Sequence, residues 1–211
     1  MKNFLKSLCL ILMTASLSEA QIVKSIGINA GYVYATEKWN YTELSGDWID
    51  PISTFSGGVF AETYKMQRFS LLAKIQYVGK GRSVHILATR ADPTSPSGYV
   101  DVGYLDLKDR LDYICVPVLL KYSLPLSKVE PFIAMGPRFE YLVGHPSSVV
   151  YDKFKTTEWS LTFSTGVDIS IHPLPKFFIE AEYNTSLTDS YTGEFVTVSD
   201  HSLEFLLGVY F

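Results

Sequence analysis

Disulfide chemistry is the first thing this chain lacks. Its 211 residues hold two cysteines, and Cys9 sits in a stretch that reads as a leader, which leaves Cys115 alone. One thiol cannot close an internal bridge, so a stapled exported domain is excluded. Long apolar runs are missing too. Beyond the leader no stretch approaches 18 consecutive apolar residues, which excludes a transmembrane helix. Positive charge is also short: 18 Lys and Arg stand against 22 Asp and Glu. The basic stripe of a nucleic-acid binder is therefore not expected. His85, His145 and His172 fall in separate polar stretches, and no pair has metal-ligand spacing. The expectation is no metal, no cofactor and no nucleic acid.

What is present begins with that leader. Lys2 and Lys6 precede the short apolar run Leu8 to Ala15, and Ser18-Glu19-Ala20 supplies small residues for cleavage before Gln21. Residues 1–20 thus read as a secretory signal peptide, with 21–211 as one domain. The run is shorter than the about 20 residues a spanning helix needs. Cys9 lies inside it rather than after it, which argues against a lipoprotein site.

The rest alternates with a period of two, the mark of strands with one apolar face. Eight segments emerge: Val23 to Ala35, Phe55 to Tyr64, Phe69 to Gly79, Leu111 to Tyr122, Phe132 to Leu142, Glu158 to Ile171, Phe177 to Leu187, and His201 to Phe211. The second is the weakest, because Gly57 and Gly58 blur it, and a bulge is expected there. Between segments, 36–52, 80–108, 143–156 and 188–200 read as long loops. The remaining links are short.

Long and short connections alternate, as in outer-membrane barrels with short periplasmic turns and longer external loops. About ten residues per strand suffice to cross a membrane at a tilt of about 45°. The fold class predicted is all-β: an eight-stranded, antiparallel, up-and-down transmembrane β-barrel. If the chain starts in the periplasm, Tyr34, Tyr77, Tyr141 and Trp159 fall at the outer rim of the apolar face. Phe69, Tyr122, Phe177 and Phe211 fall at the inner rim. Two aromatic girdles are thus expected, at the two membrane interfaces.

At Tyr113-Ile-Cys-Val-Pro117-Val-Leu-Leu-Lys121-Tyr122 the chain resembles the PorT-like outer-membrane β-barrel family of Bacteroidetes. Gly57-Gly58-Val59-Phe60-Ala61-Glu62, Ile75-Gln76-Tyr77-Val78-Gly79-Lys80-Gly81 and Gly208-Val-Tyr-Phe211 fit the same family. The resemblance implies an eight-stranded barrel of the OmpA/OmpX type, inserted by the barrel-assembly machinery. That machinery reads the C-terminal aromatic, here Phe211. The family's members range from uncharacterised surface barrels to a factor of a protein-secretion system, so no single activity follows. One departure stands out: Cys115 occupies a position where the family usually carries an acidic residue.

The polar faces carry Glu62, Lys74, Lys121, Arg138, Glu140, Asp168, Glu180, Glu182 and Glu204. An eight-stranded interior is just wide enough for side chains to fill. These charges are expected to pair as a lumen ionic network rather than line a pore, since unpaired buried charge is very costly. Carboxylates outnumber cations in that set, so some should be protonated, hydrated or near the rims.

The function expected is a structural or interaction protein of the outer membrane. It would work through external loops, with outer-membrane lipid and other envelope proteins as partners. Trp39, Tyr41 and Trp48 are the candidate loop contacts, since exposed aromatics can anchor a partner. The main alternative is an accessory subunit of a secretion or envelope-assembly machine. Two others compete. A lipid A hydrolase would need a serine–histidine pair, and Ser199-Asp200-His201-Ser202 offers one only if a loop overrides the strand, because neighbours on a strand point apart. A soluble lipocalin-like binder would place the charged set outside.

Overall fold

The computed structural model describes residues 23–41, 49–63, 66–146, 153–193 and 196–211. Its elements are β1 (Val23–Tyr41), β2 (Ile49–Thr63), β3 (Phe69–Ala91), β4 (Tyr99–Ser123), β5 (Val129–Gly144), β6 (Thr157–Ile169), β7 (Phe177–Ser186), β8 (Tyr191–Thr192) and β9 (Val196–Tyr210). Each long strand pairs antiparallel with the next, and β9 returns to pair with β1 from Gly27↔Tyr210 to Tyr41↔Val196. The two-residue β8 is a spur on the outer end of β9. Eight long staves therefore close a ring with no free edge, which removes the hazard of an exposed apolar strand.

The alternation runs opposite to that of a soluble barrel. Along β9, Glu204 is 0% exposed while its neighbour-but-two Leu207 is 62% exposed. The same inversion holds on β3, where Lys74 is buried between exposed Ala73 and Ile75. All nine predicted lumen charges are buried. A lipocalin-like barrel would reverse this, so that alternative is overturned by the faces themselves.

Several segment ends need correction. The stretch 80–108 is not a loop: β3 and β4 run on as a paired hairpin to Ala91↔Tyr99, leaving only 92–98 as its turn. Likewise β1 extends to Tyr41, β2 begins at Ile49, and β9 begins at Val196 rather than near 201. The cause is physical. Above the lipid both faces of a strand meet water, so polarity stops alternating while the backbone ladder continues. The bulge expected at Gly57 and Gly58 is not there, since both pair in regular register on either side; β2 is irregular earlier, with a register shift against β3 between Pro51 and Ser56. A second shift, between Ala88 and Thr89, sits opposite Gly103, whose φ of 115° only glycine adopts without strain.

Two apolar clusters close the barrel's interior. Near the inner end, Phe60, Phe178 and Tyr210 meet edge to face, with centroids 4.9–5.6 Å apart. Gly208 makes this packing feasible, since a Cβ there would lie 2.2 Å from the Phe178 ring. Near the outer end, Val33, Val78, Leu111, Leu142, Phe154 and Val198 form the second cluster. The charged side chains interleave with both clusters, Asp168 standing opposite Phe178 and Glu204 opposite Val33.

Candidate functional site: the ionic lumen and its outer mouth

The network rises through the barrel in tiers. Lowest, Lys121 on β4 donates to Asp168 at 2.8 Å, to the Tyr210 hydroxyl at 2.9 Å and to Glu62 at 3.3 Å. Ser70 also donates to Glu62, at 2.7 Å, and Lys176 lies 2.8 Å from Asp168. Above this, Lys74 on β3 crosses the lumen to β7, where it pairs with Glu180 at 2.7 Å and with Glu182. Next, Arg138 on β5 donates to Glu204 at 2.7 Å and places its Nε 3.2 Å from Glu140. Asn184 adds a 2.9 Å bond to Glu204. All nine predicted residues thus fall into these three tiers.

Cys115 faces Arg138, whose Nη2 lies 3.0 Å from its sulfur. The guanidinium takes its charge partners from Glu140 and Glu204.

Four interior charges escape the sequence reading: Glu37, Lys80, Glu158 and Asp200. Lys80 pairs with Glu140. The period-two signal that could have found them was there. Glu37 continues the inward series Val33, Ala35, and Lys80 continues Lys74, Gln76, Val78. Asp200 precedes Ser202 and Glu204 on the same face.

These residues build the outer mouth. The Tyr113 hydroxyl lies 3.0 Å from Glu158 Oε1 and 3.4 Å from Asp200 Oδ2, and Ser190 donates to Glu158 Oε2 at 3.1 Å. Glu37 sits directly across the β1–β9 seam from Asp200, beyond the row that pairs Tyr34 with Leu203. Burial, and then the Asp200 charge, push the Glu37 carboxyl up to about 8; burial raises Asp200 as well.

Trp39 requires correction. It is not an exposed loop aromatic but a half-buried residue of β1 that donates from Nε1 to Glu37 at 2.8 Å. The Arg82 guanidinium lies 3.9 Å over its ring, and Phe154 packs against it at 6.2 Å. Phe154 in turn stacks on Tyr191 at 5.7 Å. Trp39, Phe154 and Tyr191 together form a plug over the acids. Tyr41 ends β1 rather than lying in a loop, and Trp48 lies outside the described residues.

The girdle residues all project outward. Tyr34, Tyr141, Trp159, Phe69 and Phe211 are exposed, and Tyr77, Tyr122 and Phe177 half-buried. Tyr77, Ile114 and Tyr141 share one row across three strands, and Phe69 pairs with Tyr122 at the opposite end. The serine–histidine pair of a hydrolase is not assembled. Ser202 faces the lumen, bonded by Asn184, while His201 lies on the outward face of β9. His85 bridges Asp50 on β2, at 2.8 Å, and Asp106 on β4, which ties the projecting hairpin to the barrel.

Residues 19–192 match the family model for the outer membrane protein beta-barrel domain. The chain belongs to this family. Its apolar outer surface, with Ile28, Leu71, Ile75, Ile133 and Leu207 all exposed, is the lipid-facing side of an outer-membrane protein. Among solved structures it is similar to Ail, the attachment invasion locus protein of Yersinia pestis. That likeness has 14% identity, 89% of this chain and 98% of that one covered, and a TM-score of 0.44. OprG from Pseudomonas aeruginosa gives 12% identity, 89% and 95% coverage, and a TM-score of 0.45. Neisserial surface protein A gives 15%, 88% and 97%, and 0.46. No curated protein matches the sequence.

Proposed function

We propose that this protein is a closed, non-enzymatic outer-membrane barrel that works as a structural or interaction protein through its outer loops and the projecting β3–β4 hairpin. The observation that carries this reading is the filled lumen. Three tiers of cross-barrel ion pairs interleave with two apolar clusters along the lumen. Such an interior leaves no water-filled path of the kind porins keep open. Planar-bilayer recording tests it: the expected result is no steady conductance, and a stable open pore would overturn the reading.

The aromatic levels support a placement in the membrane. Tyr34, Tyr77, Tyr141 and Trp159 mark the outer interface in this reading, and Phe69, Tyr122, Phe177 and Phe211 the inner one. Residues 1–20 are removed on export, so the mature protein should begin at Gln21, which intact mass measures directly.

A second role, as an accessory subunit of a secretion or envelope-assembly machine, is favoured by the PorT-like stretch Tyr113 to Tyr122. Two of its residues, Tyr113 and Lys121, are hydrogen-bonding hubs of the lumen, so the motif serves packing whatever the role. Purification in mild detergent separates the two: a stoichiometric envelope partner supports the machine, and recovery of the barrel alone counts against it.

A further inference from the structure

Among the described residues, nine carboxylates and four cationic side chains are buried in the lumen. In the lower and middle tiers every carboxylate meets a cation, with Lys74 shared between Glu180 and Glu182. Lys121 and Lys176 serve Glu62 and Asp168, Lys74 serves Glu180 and Glu182, and Arg138 with Lys80 serves Glu140 and Glu204. Most of the surplus collects at the outer mouth as Glu37, Glu158 and Asp200. We propose that this mouth is a proton-operated plug: the trio retains a proton while the plug is shut, and loss of that proton loosens it.

Hydrogen-bond counting carries the argument. A phenol has one hydrogen to give, yet the Tyr113 hydroxyl lies within bonding distance of both Glu158 and Asp200. With both ionised, one of them faces the phenol's lone pairs. With one protonated, the chain closes: the acid donates to the phenol and the phenol donates to the carboxylate. Two further oxygens, Glu37 Oε1 and Asp200 Oδ1, are buried without a hydrogen-bond partner. They belong to residues that stand opposite each other across the seam.

The remaining charged groups offset the trio only in part, because its two cations are shared with other carboxylates. From β3, Lys80 is ion-paired with Glu140 of β5, and its ammonium lies 5.1 Å over the Tyr113 ring. Arg82 lies 3.7 Å from Glu37 but 3.6 Å from Asp109 of β4. On β9, His201 lies beside Asp200 on the opposite face, near Lys38 of β1. Full ionisation would therefore place three like charges in one buried patch, and relief comes from hydration. Water enters only if the Trp39, Phe154 and Tyr191 rings part.

The experiment uses the full-length protein in lipid vesicles. Hydrogen exchange of the segment 153–157, which carries Phe154, is followed by mass spectrometry between about pH 6 and about pH 9 and corrected for intrinsic rates. Protection should fall about tenfold in the parent and stay level in a Glu37→Gln/Asp200→Asn variant. Level protection in the parent, or the same fall in the variant, overturns the proposal. Infrared spectroscopy of the parent needs no variant: a protonated-carboxyl band should be present at the lower pH and lost at the higher one. Its absence at the lower pH overturns the proposal too. The plug rests on the closed-barrel reading, and bilayer conductance at the lower pH tests that reading separately.

Discussion

Lys121 reaches the Tyr210 hydroxyl at 2.9 Å from the diametrically opposite stave, and both contact the Glu62 and Asp168 carboxylates. Four staves are pinned through this one tier. Lys121→Met removes the cation and leaves Glu62 with Ser70 and Tyr210, and Asp168 with Tyr210 and Lys176. Breaking a buried pair in this way costs about 3–5 kcal/mol. Tyr210→Phe should cost less, about 1–3 kcal/mol, because it removes an uncharged hydroxyl and leaves the Lys121 ion pairs in place. Urea unfolding in lipid vesicles, followed by tryptophan fluorescence, should rank the two in that order.

The lipid face makes the opposite demand. Leu207 sits midway between the rows of Leu203 and Phe211 and is well exposed. Leu207→Arg should cost about 2–4 kcal/mol, the range for a cation at the bilayer midplane. Lys108→Ala, on the hairpin beyond the barrel, should leave the same unfolding curve unchanged.

How far the sequence could be read followed from where lipid lies. Between Phe69 and Tyr77 lipid forces one face to be apolar, so inward Lys74 and outward Ile75 were legible from parity alone. Beyond Ser83 water meets both faces, and the stretch 80–108 read as a loop although the ladder continues through it. Trp39 misled for the same reason, since an aromatic among acids looked like surface. Its parity with Val33, Ala35 and Glu37 was the better guide. Which charges face inward was visible, but their partners were not. Lys74 pairs across the lumen with β7, a distance that no local spacing encodes.

Phe211 lies at the inner end of the seam, where its backbone N–H donates to the Ile26 carbonyl at 2.7 Å while its ring is 71% exposed. Phe211→Ala keeps that bond and removes only outward apolar surface. Its main effect should be on insertion. Less barrel should reach the outer membrane and more unfolded chain should remain in the periplasm, as measured by the heat-modifiable gel shift, while the fraction that folds keeps its unfolding midpoint within about 1 kcal/mol.

The hairpin should be separable from the barrel. His85 holds Asp50 and Asp106 together at its base, one on each ring nitrogen. His85→Ala should release the ribbon and speed tryptic cleavage at Arg90, seen as earlier fragments in a time course. The barrel's unfolding curve should not move.

The pH dependence of the mouth has a definite sign. The Glu37 carboxyl rises from an ordinary 4.5 to about 8 on folding, first through burial and then through Asp200. Between those values the folded chain holds a proton that the unfolded chain has released, so stability falls as pH climbs from about 4.5 toward about 8 and levels off above. Asp200 shifts in the same direction and adds to the slope. Glu37→Gln keeps an acceptor for the Trp39 indole and removes the titration. Its unfolding midpoint should therefore change less with pH than the parent's across that window. The two curves should lie farthest apart above about pH 8, where the variant is the more stable, because the parent there must hold a carboxylate without a dedicated cation.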